Sequence, residues 1–138
     1  MKRFVCARLQ DIDFCAKEII ESCRGKNVWV FKGPMGAGKT TIIRAIASQM
    51  GIVDNVSSPT FGLVNEYGDT EGNVFYHFDF YRIEDQSEAV DMGVDEYFGS
   101  GSLCWVEWGE RIPDLIPSDA AVIAIHSLDE YSREITIW

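Results

Sequence analysis

The chain has 138 residues, about one domain, and its 46% of hydrophobic residues can build one real core, which excludes a disordered class. A formal net charge of -10, with no Lys/Arg cluster longer than Lys2-Arg3, argues against tight direct binding of DNA or tRNA by this chain alone and favours a basic protein partner over an acidic one. No run reaches the roughly 18 apolar residues of a membrane span and no secretory signal follows Met1-Lys2-Arg3, so residues 1–138 read as a single cytoplasmic domain with no membrane partner.

In chain order, Asp11 to Cys23 carries Ile12, Cys15, Ala16, Ile19 and Cys23 at helical spacing, with Asp11 or Asp13 as cap and Gly25 as stop. Val28 to Phe31 is a short apolar run that suits a strand buried on both faces. A glycine-rich turn leads into a second helix, Thr40 to Met50, which places Ile42, Ile43, Ile46, Ala47 and Met50 on one side and closes at Gly51. Residues 52–60 read as a loop, and Phe61 to Tyr67 with Val74 to Phe80 as a hairpin about Gly68 to Asn73. Glu84 to Met92 is predicted helical; Leu103 to Val106, Ala121 to Ile125 and Glu134 to Trp138 are predicted strands. The fold class expected is α/β: a P-loop NTPase-like three-layer sandwich with a mostly parallel central sheet and an antiparallel hairpin. The cysteines Cys6, Cys15, Cys23 and Cys104 follow neither C-x-x-C nor zinc spacing and are expected to be buried reduced thiols.

The most specific local pattern is Gly33-Pro34-Met35-Gly36-Ala37-Gly38-Lys39-Thr40, a G-x-x-x-x-G-K-T phosphate loop between a buried strand and an amphipathic helix. A triphosphate needs many donors at close range. Glycines let the backbone curl and turn its N–H groups inward, and the helix start adds its positive end. Lys39 supplies a mobile charge between the outer phosphates, the Thr40 hydroxyl suits Mg²⁺, and Thr41 can donate to an inner phosphate.

Such a loop needs an acid, and two stand at strand ends, Asp79 and Glu107. His77 alternates onto the same strand face as Asp79, either as a base or, more often for such a residue, as a hydrogen-bonded structural group. Arg82 suits a carboxylate or a phosphate equally. Ser58-Pro59-Thr60 is either a γ-phosphate-sensing connection or a simple proline turn. Trp108, directly after Glu107, sits at the active end of its strand.

Four segments in this order carry a resemblance: Gly33 to Thr41; Ser58-Pro59-Thr60-Phe61 with Leu63-Val64-Asn65-Glu66-Tyr67; His77-Phe78-Asp79-Phe80-Tyr81-Arg82; and Val106-Glu107-Trp108. Together they resemble the TsaE (formerly YjeE) family, P-loop ATPases of bacterial threonylcarbamoyladenosine tRNA modification. The resemblance implies weak ATP hydrolysis in support of threonylcarbamoylation of adenosine 37, in tRNAs reading codons that begin with A. The partners it implies are the TsaD and TsaB proteins, with tRNA engaged through the complex. It implies ATP/ADP bound by Gly33, Met35, Gly36, Ala37, Gly38, Lys39, Thr40 and Thr41, Mg²⁺ held by Thr40 and Glu107, and catalysis by Asp79, Glu107 and Lys39. Thr60 becomes the switch residue and Trp108 lies beside the site; the segment around Arg8 to Asp11 and a C-terminal arginine, best matched by Arg133, approach the nucleoside. The chain departs from the family at Pro34, usually acidic, at Gly109, usually proline, and at Cys15 and Ala16, where a T-x-x-x-G pattern is usual.

Three other functions compete with this one. A small-molecule kinase needs an acceptor pocket and an Arg-bearing lid, yet only 98 residues follow Thr40 and no Arg-rich insertion appears. A GTPase would carry N/T-K-x-D, which is absent. A non-hydrolysing nucleotide module remains, opposed by the two acids.

Overall fold

A computed structural model of the chain describes residues 1–59 and 62–138. Thr60 and Phe61, and with them the expected switch hydroxyl, lie outside the described residues. The strands are β1 (Lys2–Cys6), β2 (Val28–Lys32), β3 (Val64–Gly68), β4 (Val74–Asp79), β5 (Leu103–Glu107), β6 (Ala121–Ser127) and β7 (Arg133–Ile137). The α-helices are α1 (Ile12–Ser22), α2 (Lys39–Gln49), α3 (Gln86–Asp91) and α4 (Val94–Phe98). The sheet runs in the order β1-β7-β6-β2-β5-β4-β3. Its centre is parallel, from β6 through β2 and β5 to β4, and antiparallel pairs close it on both sides, β3 on β4 and β6-β7-β1.

Strict alternation along β2 builds the three layers. Trp29 and Phe31 face one core with Ile19, Ile43, Ile46 and Trp105, beneath α1 and α2. Val28 and Val30 face the other with Phe78, Phe80, Cys104, Val106 and Ile112, beneath α3 and α4. Helix α2 ends in a Schellman motif: Gly51, at φ 84°, donates to Ser48 at 3.3 Å, and Ile52 donates to Ala47 at 3.1 Å. Helix α3 opens on a capping box, in which Asp85 accepts from the Ser87 amide at 3.1 Å while Glu88 accepts from the Asp85 amide at 3.2 Å.

Three local features differ from expectation. The N-terminal residues, for which no element was expected, form β1, paired with β7. A separate helix α4 follows Gly93, whose φ is 81°. Asp11 stands at the start of α1 but its side chain makes no cap; Arg8 Nε donates to it instead, at 3.4 Å. All four cysteines are free and buried, as expected, and burial pushes the Cys15, Cys23 and Cys104 thiols up to about 12. Among the described residues, no helix is long and apolar enough to cross a membrane.

Candidate nucleotide and metal site

The phosphate loop runs from the end of β2 to the start of α2, at the carboxyl edge of the parallel strands. Gly33 must be a glycine for reasons of space: a Cβ there would come within 2.8 Å of the Ile125 carbonyl oxygen on β6. Gly36 and Gly38 adopt positive φ, 82° and 102°, which curls the loop toward its own interior. Lys39 is buried, its Nζ donating to the Gly33 carbonyl at 2.6 Å and lying 3.9 Å from the centre of the Trp108 ring. Burial lowers its pKa, and the charges of Glu107, Glu110 and Asp79 act in the opposite sense.

The two acids meet across the sheet. Strands β4 and β5 are parallel neighbours, and their register pairs Asp79 with Glu107 and His77 with Trp105. Alternation therefore puts His77, Asp79 and Glu107 on the face that carries α2. Glu107 is buried and fully engaged. The Thr40 hydroxyl donates to its Oε1 at 3.1 Å, Ser58 Oγ to its Oε2 at 3.0 Å, and His77 Nε2 lies 2.7 Å from the same Oε2. Thr40 and Ser58 hydroxyls are 2.9 Å apart. Burial acts to raise the Glu107 pKa, but the hydrogen bonds and charge of His77, with those of Ser58 and Thr40, overcome it and leave the group below its ordinary value. Asp79 is shifted oppositely: burial and the Glu107 charge raise it against the Tyr81 amide, which donates to Oδ1 at 2.9 Å.

Met35, Gly36, Gly38, Lys39, Thr40, Thr41, Ser58, Asp79, Glu107 and Trp108 line one cavity of about 350 Å³. Trp108 adopts a left-handed backbone at φ 60°, so the chain turns sharply after Glu107 and lays the indole against Lys39 and Tyr81, the latter at 4.9 Å between ring centres. The donors facing the cavity are hydroxyl and carboxylate oxygens, the set Mg²⁺ prefers. Among the described residues no group of three or more His, Cys, Asp or Glu could hold a metal ion.

A second cavity of about 290 Å³ lies on the other flank of the loop, lined by Cys6, Arg8, Leu9, Ile12, Ala37, Thr41, Ile125, Tyr131 and Arg133 among others. Arg133 does not project freely into it. Its Nε donates to the Ala37 carbonyl at 3.0 Å and its Nη1 to the Asp129 and Ser132 carbonyls, so it ties the phosphate loop to the β6–β7 hairpin. Ser58 and the full role of His77 escape a reading by motif. Ser58 is 49 positions from Glu107 in the chain, and only the fold brings the two together.

The geometry of a phosphate loop facing a paired acid is shared by many proteins; what decides the family is the whole chain. The family model "Threonylcarbamoyl adenosine biosynthesis protein TsaE" matches residues 6–135. The chain belongs to the TsaE family. It is 42% identical over 110 residues to the tRNA threonylcarbamoyladenosine biosynthesis protein TsaE of Bacillus subtilis (strain 168), covering 80% of this chain and 68% of that relative. It is 35% identical over 140 residues to the protein of the same name from Aquifex aeolicus (strain VF5), covering 100% and 96%. The crystal structure of Bacillus subtilis YdiB superposes with a TM-score of 0.75 at 29% identity, over 99% of this chain and 83% of that one.

Proposed function

We propose that this TsaE-family chain binds MgATP and hydrolyses it slowly, in the cytoplasm, as the ATPase of tRNA threonylcarbamoylation at adenosine 37. The observation that carries this is the convergence of Lys39, Thr40, Asp79 and Glu107 on one cavity at the mouth of the phosphate loop. The amides of Gly36 to Thr41 and the Lys39 ammonium would bind the phosphates. Lys39 is held until then by the Gly33 carbonyl and the Trp108 ring, partners that a phosphate oxygen outbids electrostatically. Thr40 and Glu107 would hold Mg²⁺, which supplies charge neutralisation on the transferring phosphoryl group. Asp79, whose carboxyl is raised by burial, would accept a proton from an attacking water. The nucleoside would extend into the flanking cavity past Ala37, with Arg133 bracing the loop between the two.

Among the described residues no arginine lines the phosphate-side cavity. An uncompensated transition-state charge makes for slow turnover, and a partner that supplies or orders a cation raises it. In this reading TsaD and TsaB are those partners, and the tRNA, repelled by a net charge of -10, is held through them. Titration with ATP and a phosphate-release assay test the reading. Lys39→Ala abolishes productive binding, while Glu107→Ala retains much nucleotide binding and loses hydrolysis. Normal turnover in Glu107→Ala would remove the acid from the mechanism.

A further inference from the structure

The contact that the proposed chemistry leaves unexplained is the shortest one to Glu107. His77 is wholly buried, at 0% exposure, and its Nε2 lies 2.7 Å from Glu107 Oε2. An ionised carboxylate only accepts hydrogen bonds, so Nε2 carries the hydrogen and donates. No partner reaches Nδ1 among the described residues, so Glu107 is the side-chain group that fixes the ring's orientation. The ring is set by the sheet itself: β4 and β5 are in parallel register, His77 opposite Trp105, with Glu107 one pleat further on. Tyr67, at 6.3 Å between ring centres, backs it from β3.

This arrangement divides the two oxygens of Glu107. Oε2 takes the short contacts of His77, at 2.7 Å, and Ser58, at 3.0 Å, donors from β4 and from the segment before β3, and lies farther from the Thr40 hydroxyl, at 3.3 Å. Thr40, whose hydroxyl a phosphate-bound cation would recruit, makes the shorter of its two contacts to Oε1, 3.1 Å against 3.3 Å, so that oxygen faces the phosphate loop. We propose that His77 is a positioning residue for metal binding: its Nε2–H anchors Oε2 from beneath, so that Oε1 is presented beside Thr40 toward the cation. A carboxylate with one oxygen pinned loses less rotational freedom on engaging a metal shell, and such supporting partners typically contribute 10–100-fold in metal affinity. The inference rests on the MgATP reading above and deepens it.

The test separates metal from nucleotide. ADP binding is measured by calorimetry with Mg²⁺ and with EDTA, and Mn²⁺ binding to the ADP complex by electron paramagnetic resonance. His77→Leu fills the space without a donor; His77→Gln places an amide N–H near the original Nε2. The expected result is that His77→Leu leaves metal-free ADP affinity within about twofold of wild type. Its Mg²⁺ enhancement and Mn²⁺ affinity fall at least tenfold, and His77→Gln recovers most of both. Should His77→Leu fail to fold by circular dichroism, His77→Asn, whose shorter amide does not reach Glu107, replaces it with the same expectation. An unchanged Mg²⁺ enhancement in the donor-less variant, beside a normal wild type, would overturn the role of His77 alone. A wild type whose ADP binding ignores Mg²⁺ would overturn the metal reading and this inference together.

Discussion

Asp79 and Glu107 stand in register on neighbouring strands yet are tuned in opposite directions, and the difference lies in their donors. Glu107 collects hydrogen bonds from His77, Ser58 and Thr40; Asp79 has the Tyr81 amide and a negative neighbour. The lowered Glu107 contributes stability that is complete above the ordinary glutamate range and is lost as pH falls through its depressed folded value. The raised Asp79 does the reverse: stability is lost as pH rises from the ordinary aspartate value through the raised folded one. Asp79→Asn keeps an oxygen for the Tyr81 amide and removes the half-buried charge. It is therefore expected to raise the Tm of the nucleotide-free protein at neutral pH, by an amount that shrinks as pH is lowered into the ordinary carboxylate range, while abolishing hydrolysis. Thermal melts across that pH range check the sign; a lower Tm at neutral pH would mean that the charge stabilises the fold. Much of this residue-level picture is legible in sequence. The phosphate loop and the two strand-end acids follow from type and spacing alone. The network around Glu107 does not, because its members come from four separate segments and only pairing of β4 with β5 and docking of α2 bring them within hydrogen-bond reach.

At the scale of elements, sequence periodicity fails where the elements are short. Helices α1 and α2 and strands β2, β4, β5 and β6 carry enough apolar repeats to be placed within a residue or two. Strand β1 opens Lys2-Arg3, and its exposed residues give weak alternation; what makes it a strand is its neighbour β7. Helix α4 has only the residues Val94–Phe98, and the positive φ at Gly93 separates it from α3; no helix was expected beyond Met92. The start of α3 is sharper than periodicity suggests because Asp85 and Glu88 cap it reciprocally. Asp85→Ala is expected to cost about 1 kcal/mol, a few degrees in Tm. Nucleotide affinity should not change, since α3 packs in the core on the sheet face opposite α2. Melting and ADP titration of the same sample check both halves, and a loss of affinity would show that the two layers are coupled.

The whole molecule sets two cavities against one loop. The first is the one proposed for phosphate and cation, the second is the more apolar in its lining, and Arg133 spans the backbone between them. A chain this acidic, with Glu107 buried and no arginine on the phosphate-side cavity among the described residues, agrees with the proposed ATPase that would depend on other proteins both for rate and for contact with RNA. The layered architecture was readable from the alternation of strands and helices, whereas the antiparallel closure by β1 and β7 depends on contacts between the chain's two ends. The central claim is best met by measuring Mg²⁺-dependent ATP hydrolysis, with GTP in parallel, by this chain alone and with TsaB and TsaD added. The account predicts slow ATP turnover alone, marked stimulation by the partners and loss of both in Lys39→Ala. Brisk turnover without partners, transfer of phosphate to a small molecule, or no turnover in any mixture would contradict it.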